Sequence, residues 1–384
     1  MKVMEILNQL AALPHRGATT EEEIRAADLL IQNLTTLNIP AKLEPFKASS
    51  SYSWEVIMFS VTMIAGLMIS PVFSKLGTAI VLLGFWSYTR HFMGRSTIFT
   101  PIIPKKQSQN VVAKISSEST AEKNIILMAH YDSARASSVF APNMVKNFRQ
   151  SFLLNTYIGA FSIVWAYMGE YWGLLLWFKI ICIGLSLVHL VNIIIHIHRE
   201  IFHKFVPGIN DNASGVAAIF AIIEELQKHP LKNSTVRIVF TACEEAGIQG
   251  AKAFYNQHWP DLPADNTTVI NLDNIGSGNL HYVTGEGMLL YYNFDESIIS
   301  LCEELTRQQK YEDIRPLEYR RAYFDTLVFA QHGYSCTTLI ALDDEGTIPN
   351  WHWYTDTLDN IDDKVINHAS NFTTDLIRLL DRTK

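Results

Sequence analysis

The chain has 384 residues, long enough for one large domain or two ordinary ones. Its formal net charge of -7, with no basic stripe, argues against nucleic acid as a partner. Hydrophobic residues make up 48% and charged residues 18%, below the roughly 25% charged residues of soluble domains, and the shortfall lies in two apolar blocks, Trp54 to Thr89 and Phe152 to Ile195.

The opening stretch, MKVMEILNQLAALPHRG, is not expected to act as a signal peptide, because polar residues interrupt its apolar positions and no small-residue cleavage site follows. Met4 to Leu13 repeats apolar residues at helical spacing, and Pro14-His15-Arg16-Gly17 breaks that helix. Thr19 with Glu22, or Thr20 with Glu23, predicts a capping box for a second helix running to about Leu37. Ala41 to Phe46 alternates as a short strand.

The first apolar block follows. Trp54 to Phe73 is long enough to span a bilayer, with Glu55 at its edge as the only charge. Pro71 and Lys75 mark a turn, and Leu76 to Thr89 is apolar but short, so that it spans only if Arg90 and its neighbours snorkel. Asn110 to Ile115 and Asn124 to Ala129 read as strands. The second block, Phe152 to Gly169 and Tyr171 to Ile195, reads as another helical hairpin that turns at Glu170, where Trp165, Tyr167, Tyr171, Trp172 and Trp177 form an interfacial belt. Beyond Pro207 the expected elements are a helix over Ala213 to Gln227, strands Thr235 to Phe240 and Thr267 to Asn271, a helix over Ile298 to Gln309, a strand over Thr337 to Leu342 and a closing helix over Val365 to Leu380. Strands alternating with helices imply an α/β fold with a mixed, largely parallel central sheet. The four cysteines are scattered, with no CxxC pair, which points to reduced thiols in a cytoplasmic setting.

Five polar clusters sit where strands end or loops begin. His130-Tyr131-Asp132 follows the apolar run IILMA and offers a metal-binding imidazole, with a carboxylate two residues on to orient it. Asn210-Asp211-Asn212-Ala213-Ser214-Gly215 opens a helix, where Asp211 either caps the helix or bridges two cations. Glu244 and Glu245 follow the strand VRIVF. Adjacent carboxylates repel unless neutralised, and beside a metal one can ligate while the other takes a proton from water. Leu272-Asp273 ends the strand TTVIN, and His352 precedes Asp356 in the segment HWYTDT. Two histidines, two aspartates and one of a glutamate pair form a nitrogen and oxygen donor set suited to zinc or a similar divalent ion.

In this order HxD, DNxSG, EE-x-G, LD and H-x3-DT resemble the M28 family of zinc peptidases, which includes bacterial aminopeptidases, and PHRGATTEEE is similar to the start of such a catalytic domain. The resemblance covers most of the chain outside the apolar blocks. It implies a zinc-exopeptidase-like fold and two Zn2+ ions, or Co2+ or Mn2+, held by His130, Asp211, Glu245, Asp273 and His352. It further implies Glu244 as general base, Asp132 and Asp356 as supporting carboxylates, and a peptide substrate held by its free amino group. Trp353 stands where the family often has Thr. Tyr323 and Asp325 lie where the family places substrate-side or structural residues.

The soluble members of that family lack long apolar blocks. The chain is therefore expected to divide into a discontinuous catalytic domain, residues 1–53, 96–149 and 199–384, and two α-helical membrane hairpins, 54–95 and 150–198. Paired crossings return the catalytic segments to one side. Lys47, Arg90, Arg95, Lys105, Lys106, Lys146, Arg149, Arg199 and Lys204 flank that side, against Lys75 and Lys179 near the turns, which predicts a multi-pass protein with its catalytic domain in the cytoplasm. His196, His198 and His203 are expected to be interfacial rather than ligating. Two other functions suit the sequence: a zinc acyl-transfer or cyclising enzyme on the same fold, and a non-catalytic membrane receptor or scaffold.

Overall fold

The computed structural model describes residues 3–119 and 123–383, which form two compact units. Unit 1 comprises Met1–Ser50, Lys105–Arg135 and Phe205–Lys384, and unit 2 comprises Ser51–Pro104 and Ala136–Lys204.

Unit 1 begins with α1 (Val3–Ala11), α2 (Glu21–Thr36) and β1 (Ala41–Ala48). Helices α3 (Ser53–Ile69) and α4 (Ser74–Phe92) belong to unit 2. Strands β2 (Lys106–Ile115) and β3 (Lys123–His130) return to unit 1, and α5 (Phe148–Trp172) and α6 (Leu176–Phe202) complete unit 2. The remainder of unit 1 is α7 (Ser214–Lys228), β4 (Ser234–Thr241), α8 (Gln249–His258), β5 (Thr267–Leu272), β6 (Asn279–Glu286), β7 (Tyr292–Asn293), α9 (Glu296–Thr306), β8 (Arg315–Tyr319), α10 (Thr326–Ala330), β9 (Ser335–Leu342) and α11 (Asp363–Arg382).

The strands form one mixed sheet in the order β1-β2-β4-β3-β5-β9-β6-β7, with β8 paired to β6. Its centre, β4-β3-β5-β9, is parallel. These four strands are nearly all buried, as their almost continuous apolar sequences require. The antiparallel β1–β2 pair extends one side, and β6 pairs antiparallel with β9 on the other. Helices α1, α7 and α11 pack together over the sheet, and their apolar faces join the main core. The expected α/β fold with a parallel sheet centre is thus observed.

Some boundaries differ from expectation. Helix α5 passes through Glu170 to Trp172, and the chain turns at Gly173–Leu175 instead. Glu170 is exposed on the helix surface, so its charge gives no reason to end the helix there. In the first hairpin the short member is α3 with 17 residues, whereas α4 continues past the apolar run to 19. Elements α8, α10, β6, β7 and β8 carried no clear sequence signal.

Unit 2 buries small polar side chains beside an apolar cluster of Met63, Leu67, Val81 and Ala166 and leaves many large apolar side chains outside. Serines 60, 70, 74, 87 and 162 are buried, while Val72, Phe73, Leu154, Tyr157, Leu174, Leu176, Ile201 and Phe202 are exposed, Leu174 to 88%. Helices α3 and α4 touch through Gly66 and Gly77, where an added Cβ at Gly77 would lie 2.6 Å from the Gly66 carbonyl oxygen. Polar bonds join the helices inside: Tyr88 to Thr156 at 2.6 Å, Asn192 to Asn155 at 3.1 Å and Ser162 to His189 at 3.4 Å. Helices α5 and α6 are long and apolar enough to cross a bilayer. Helix α3 reaches only about 26 Å at 1.5 Å per residue, against roughly 30 Å for the hydrocarbon core.

The predicted cap of α2 forms at Thr20, whose hydroxyl accepts from the Glu23 N–H at 3.3 Å. The Glu23 carboxylate reaches one residue further back, to the Thr19 N–H at 3.0 Å. It also accepts from Ser108 on β2 at 2.8 Å and from the Cys243 thiol at 3.2 Å, which ties α2 to the strand ends. Burial, reinforced by Asp132, pushes its carboxyl up to about 8. As pH rises from the ordinary carboxyl range toward about 8, the unfolded chain ionises this group and the folded chain does not, so wild-type stability declines over that window. Glu23→Gln lacks this penalty. The melting temperature of Glu23→Gln relative to wild type should therefore increase between about pH 5 and about pH 8; a pH-independent difference would contradict the assignment.

Candidate metal centre

Parallel strands bring their C-terminal ends to one edge, where α/β proteins bind ligands. His130 is the last residue of β3 and is paired with Thr241, the last residue of β4. Glu244 and Glu245 follow β4, Asp273 follows β5, and His352 lies in the segment after β9. Asp211 precedes α7 across a cis Asp211–Asn212 peptide. The five clusters distant in sequence therefore meet at the edge formed by β4, β3, β5 and β9.

Asp211 stands between two imidazoles. Its Oδ1 lies 3.1 Å from His130 Nε2 and its Oδ2 lies 3.2 Å from His352 Nε2. Beyond His130, Asp273 Oδ1 is at 3.7 Å, and beyond His352, Glu245 Oε2 is at 3.1 Å. The donor atoms fall into three overlapping groups within 4.8 Å: His130, Asp211 and Asp273; Asp211, Glu245 and His352; and His130, Glu244 and Glu245. All five expected ligands and Glu244 are thus brought together.

The surrounding framework is built from carboxylates and amides. Asp132, fully buried, accepts the N–H groups of Glu244 at 3.0 Å and Glu245 at 3.2 Å. It holds the glutamate turn more directly than it holds His130, whose Nδ1 is 3.6 Å from its Oδ1. Asp356 does the same for the bridging residue, accepting the N–H groups of Asn210 at 2.6 Å and Asp211 at 3.1 Å. The capping alternative for Asp211 is not met. Asn212 Oδ1 accepts from the Gly215 N–H at 3.0 Å, so the neighbouring amide supports the helix start and leaves the Asp211 carboxylate to the imidazoles. Gly215 is needed there, because a Cβ would lie 2.3 Å from the Leu272 carbonyl at the end of β5.

Backbone strain clusters at this edge. Cys243, Asn274 and His352 have φ of 54°, 54° and 49°, in the left-handed region that L residues seldom adopt. Each is one of the expected site residues or the immediate neighbour of one, a placement typical of functional sites.

The electrostatics express crowding of like charges. Burial raises Glu244, Glu245 and Asp273, and mutual repulsion adds to it. Burial opposes charge on the histidines, but Asp273, Asp132 and Asp211 hold His130 well above the usual imidazole value, and Glu245 and Asp211 hold His352 at about 9. Asp211 is buried, yet bonds to both histidines hold it below the ordinary carboxylate range. The buried Glu245 Oε1 has no hydrogen-bond partner. This donor set, rich in hard oxygens with two imidazoles and an orphaned carboxylate oxygen, fits divalent cations.

The other site expectations separate. Asp325 is fully buried and takes a hydrogen bond from Thr241 Oγ1, which anchors the start of α10 to the end of β4. Burial pushes its carboxyl up to about 7. Tyr323 is half-buried on the segment between β8 and α10. His196 is bonded to Ser53 at 3.2 Å and His203 to Ser138 at 3.3 Å, and no metal-holding group among the described residues includes them. The four cysteines are buried and free. The contributions of Asn210, Asn212 and Arg16 were missed. Asn210 bonds to the Gly276 N–H at 2.7 Å and to the Pro349 carbonyl at 3.2 Å, and Asn212 bonds to the Leu272 carbonyl at 2.8 Å. Asn212 lies within the DNxSG motif and Asn210 directly before it, which was the available signal for the two asparagines.

Residues 195–377 match the family model described as Peptidase family M28. That stretch contains Asp211, Glu244, Glu245, Asp273 and His352 and leaves His130 and Asp132 outside it. The probable lipoprotein aminopeptidase LpqL of Mycobacterium tuberculosis is 35% identical over 81 residues, which are 21% of this chain and 16% of that protein. In fold, the chain is similar to a Zn-dependent exopeptidase from Parabacteroides distasonis, with a TM-score of 0.57 and 13% identity over 98% of this chain and 97% of that one. It is equally similar to a glutaminyl cyclase from Bacteroides thetaiotaomicron, with a TM-score of 0.59 and 14% identity over 100% and 97%. The chain thus spans only a small part of the length of the curated relative LpqL.

Metal ligation requires neutral imidazole, whereas His352 without a cation holds its proton up to about pH 9. Binding of Zn2+ near pH 7.5 should therefore release protons. Calorimetric titration in buffers of different ionisation enthalpy measures this, and an apparent binding enthalpy that does not vary with buffer would contradict it.

Proposed function

We propose that this chain is a zinc-dependent aminopeptidase with two metal ions, held by His130, Asp211, Glu245, Asp273 and His352, and with Glu244 as general base. The observation that carries the reading is the sharing of Asp211 between two donor groups, one oxygen toward each imidazole. Two ions in that arrangement would polarise a scissile carbonyl and acidify a water. The protein's part is to place and move protons. Glu244 takes the proton of the attacking water and returns it to the leaving amine. Asp132 fixes the backbone of Glu244 and Glu245 together, so that ligand and base keep their relative positions. The cyclase likeness defines the rival: a glutaminyl cyclase releases ammonia from an N-terminal glutamine, whereas a peptidase consumes water.

Metal analysis of the purified protein beside a screen of aminoacyl, peptide and N-terminal glutamine substrates separates these readings. Glu244→Gln should retain both ions and lose roughly 10²–10⁴-fold in kcat. Asp211→Ala should lose occupancy at both positions. A Glu244→Gln protein with wild-type turnover, or an Asp211→Ala protein retaining two ions, would sink the corresponding role.

We further propose that unit 2 lies in a lipid bilayer, with its helices crossing as two hairpins and the three segments of unit 1 on the cytoplasmic side. The support is its exposed apolar surface, its buried serines and the length of α5 and α6. The protein should stay with membranes through an alkaline carbonate wash, and protease added outside intact cells should leave unit 1 uncut. Release by carbonate would remove the membrane assignment, and external cleavage of unit 1 would reverse its orientation.

A further inference from the structure

Arg16 lies in the breaker between α1 and α2 and has no exposed surface. Among the described residues of unit 1 it is the only buried Lys or Arg. Among the described residues its guanidinium forms no ion pair. It donates instead to three main-chain carbonyls: Nε to Tyr131 at 2.7 Å, Nη1 to Pro207 at 2.6 Å and Nη2 to Gly208 at 2.5 Å. Its own backbone is held in turn, because Arg16 N–H donates to Ser133 Oγ at 2.9 Å and the Ser133 N–H donates to the Arg16 carbonyl at 3.3 Å.

These carbonyls belong to two segments that chain order keeps far apart. Tyr131 follows His130 directly, and Pro207-Gly208 lead into Asp211. Between the segments the chain leaves unit 1 for Ala136–Lys204. One rigid, planar group thus spans the segments carrying two neighbouring donors, His130 and Asp211, whose nitrogen and oxygen stand 3.1 Å apart.

We propose that Arg16 is a positioning residue that sets the spacing of His130 against Asp211 and thereby tunes the affinity of the metal position they share. The inference rests on the two-ion reading above. A guanidinium suits the task because its donors are fixed in one plane, so three carbonyls bonded to it have little freedom to shift independently. Lysine keeps the charge but offers a single flexible ammonium. The burial of the cation is offset by Asp356, Asp132, Asp211 and Glu245, all within its electrostatic reach, and with a pKa of about 10 it remains charged at neutral pH. The same charge moderates the repulsion among those carboxylates.

The test uses the full chain in detergent, with Zn2+ and Co2+ titrated against a competing chelator and folding checked by circular dichroism. Arg16→Lys and Arg16→Met should bind one ion about 10–100-fold more weakly than wild type while the other is less affected. The Co2+ absorption spectrum of the weakened position should change, and kcat should fall more than KM rises. Wild-type affinity for both ions in Arg16→Lys would overturn the proposal. If both variants fail to fold, Ser133→Ala decides: it removes only the hydroxyl that holds the Arg16 backbone, and a weaker shift in the same direction supports the proposal while unchanged affinity for both ions overturns it. A wild-type protein that binds no ions would fail the two-ion reading itself, a result separate from failure of the Arg16 variants alone.

Discussion

The Asp211 carboxylate meets an imidazole on each of its oxygens, and the remainder of unit 1 is arranged to keep it there. The arrangement is unfavourable for the protein alone. Glu244, Glu245 and Asp273 crowd the same buried volume, and removal from water strengthens their repulsion. Two protonated imidazoles offset part of that cost. Cations can offset more of it, since they can face all of these oxygens at once, including the Glu245 oxygen that has no partner. The site is thus pre-organised and electrostatically incomplete, as a high-affinity cation site should be.

Pre-organisation comes from a second set of acids that need not touch a cation. Asp132 and Asp356 each accept two successive backbone N–H groups, and each pair of groups belongs to a proposed ligand and its neighbour. A carboxylate used in this way fixes main chain rather than side chain. It also adds negative charge beneath the cluster, which raises the demand for cations above it. Burial pushes the Asp356 carboxyl up to about 7 even against its two N–H bonds. Arg16 is the countervailing positive charge, and its placement on carbonyls rather than carboxylates lets it restrain geometry and potential together.

What was legible in the sequence was local. His130, Glu244 and Asp273 each follow an apolar strand run and Asp211 stands at a helix start, the topology of a parallel sheet gathers those strand ends to one edge, and His352 joins them from the segment after β9. The capping box of α2 was equally visible, and the structure chose Thr20 with Glu23 over Thr19 with Glu22. Elements defined by distant partners were not visible. Strand β8 reads Arg-Pro-Leu-Glu-Tyr and exists through its pairing with β6, and α10 is too short for periodicity to register. Arg16 was opaque for the same reason: an arginine in the breaker Pro14-His15-Arg16-Gly17 looks like part of an exposed turn, and only the carbonyls of Tyr131, Pro207 and Gly208 make it a buried one. Glu170 misled in the opposite direction, because a single charge on an exposed helical position does not stop a helix.

Both insertions enter unit 1 at places where its chain already lies side by side. The first leaves after β1 and returns at β2, two antiparallel strands in which Ala48 is paired with Lys106. The second leaves after Arg135 and returns at Phe205, which form an isolated antiparallel bridge, and Val206 donates to the Ala134 carbonyl at 2.8 Å. A loop closed at paired residues costs entropy that grows only with the logarithm of its length. A helical hairpin in such a position can therefore lengthen without disturbing the sheet, provided that the stem holds. For the first insertion the stem is a ladder that runs the length of β1. For the second it is one isolated bridge, closed by two backbone hydrogen bonds, and the Arg16 fork, directly beside His130 and Asp211. The candidate metal centre therefore depends on the weaker of the two stems, which is where the only buried Lys or Arg among the described residues of unit 1 stands.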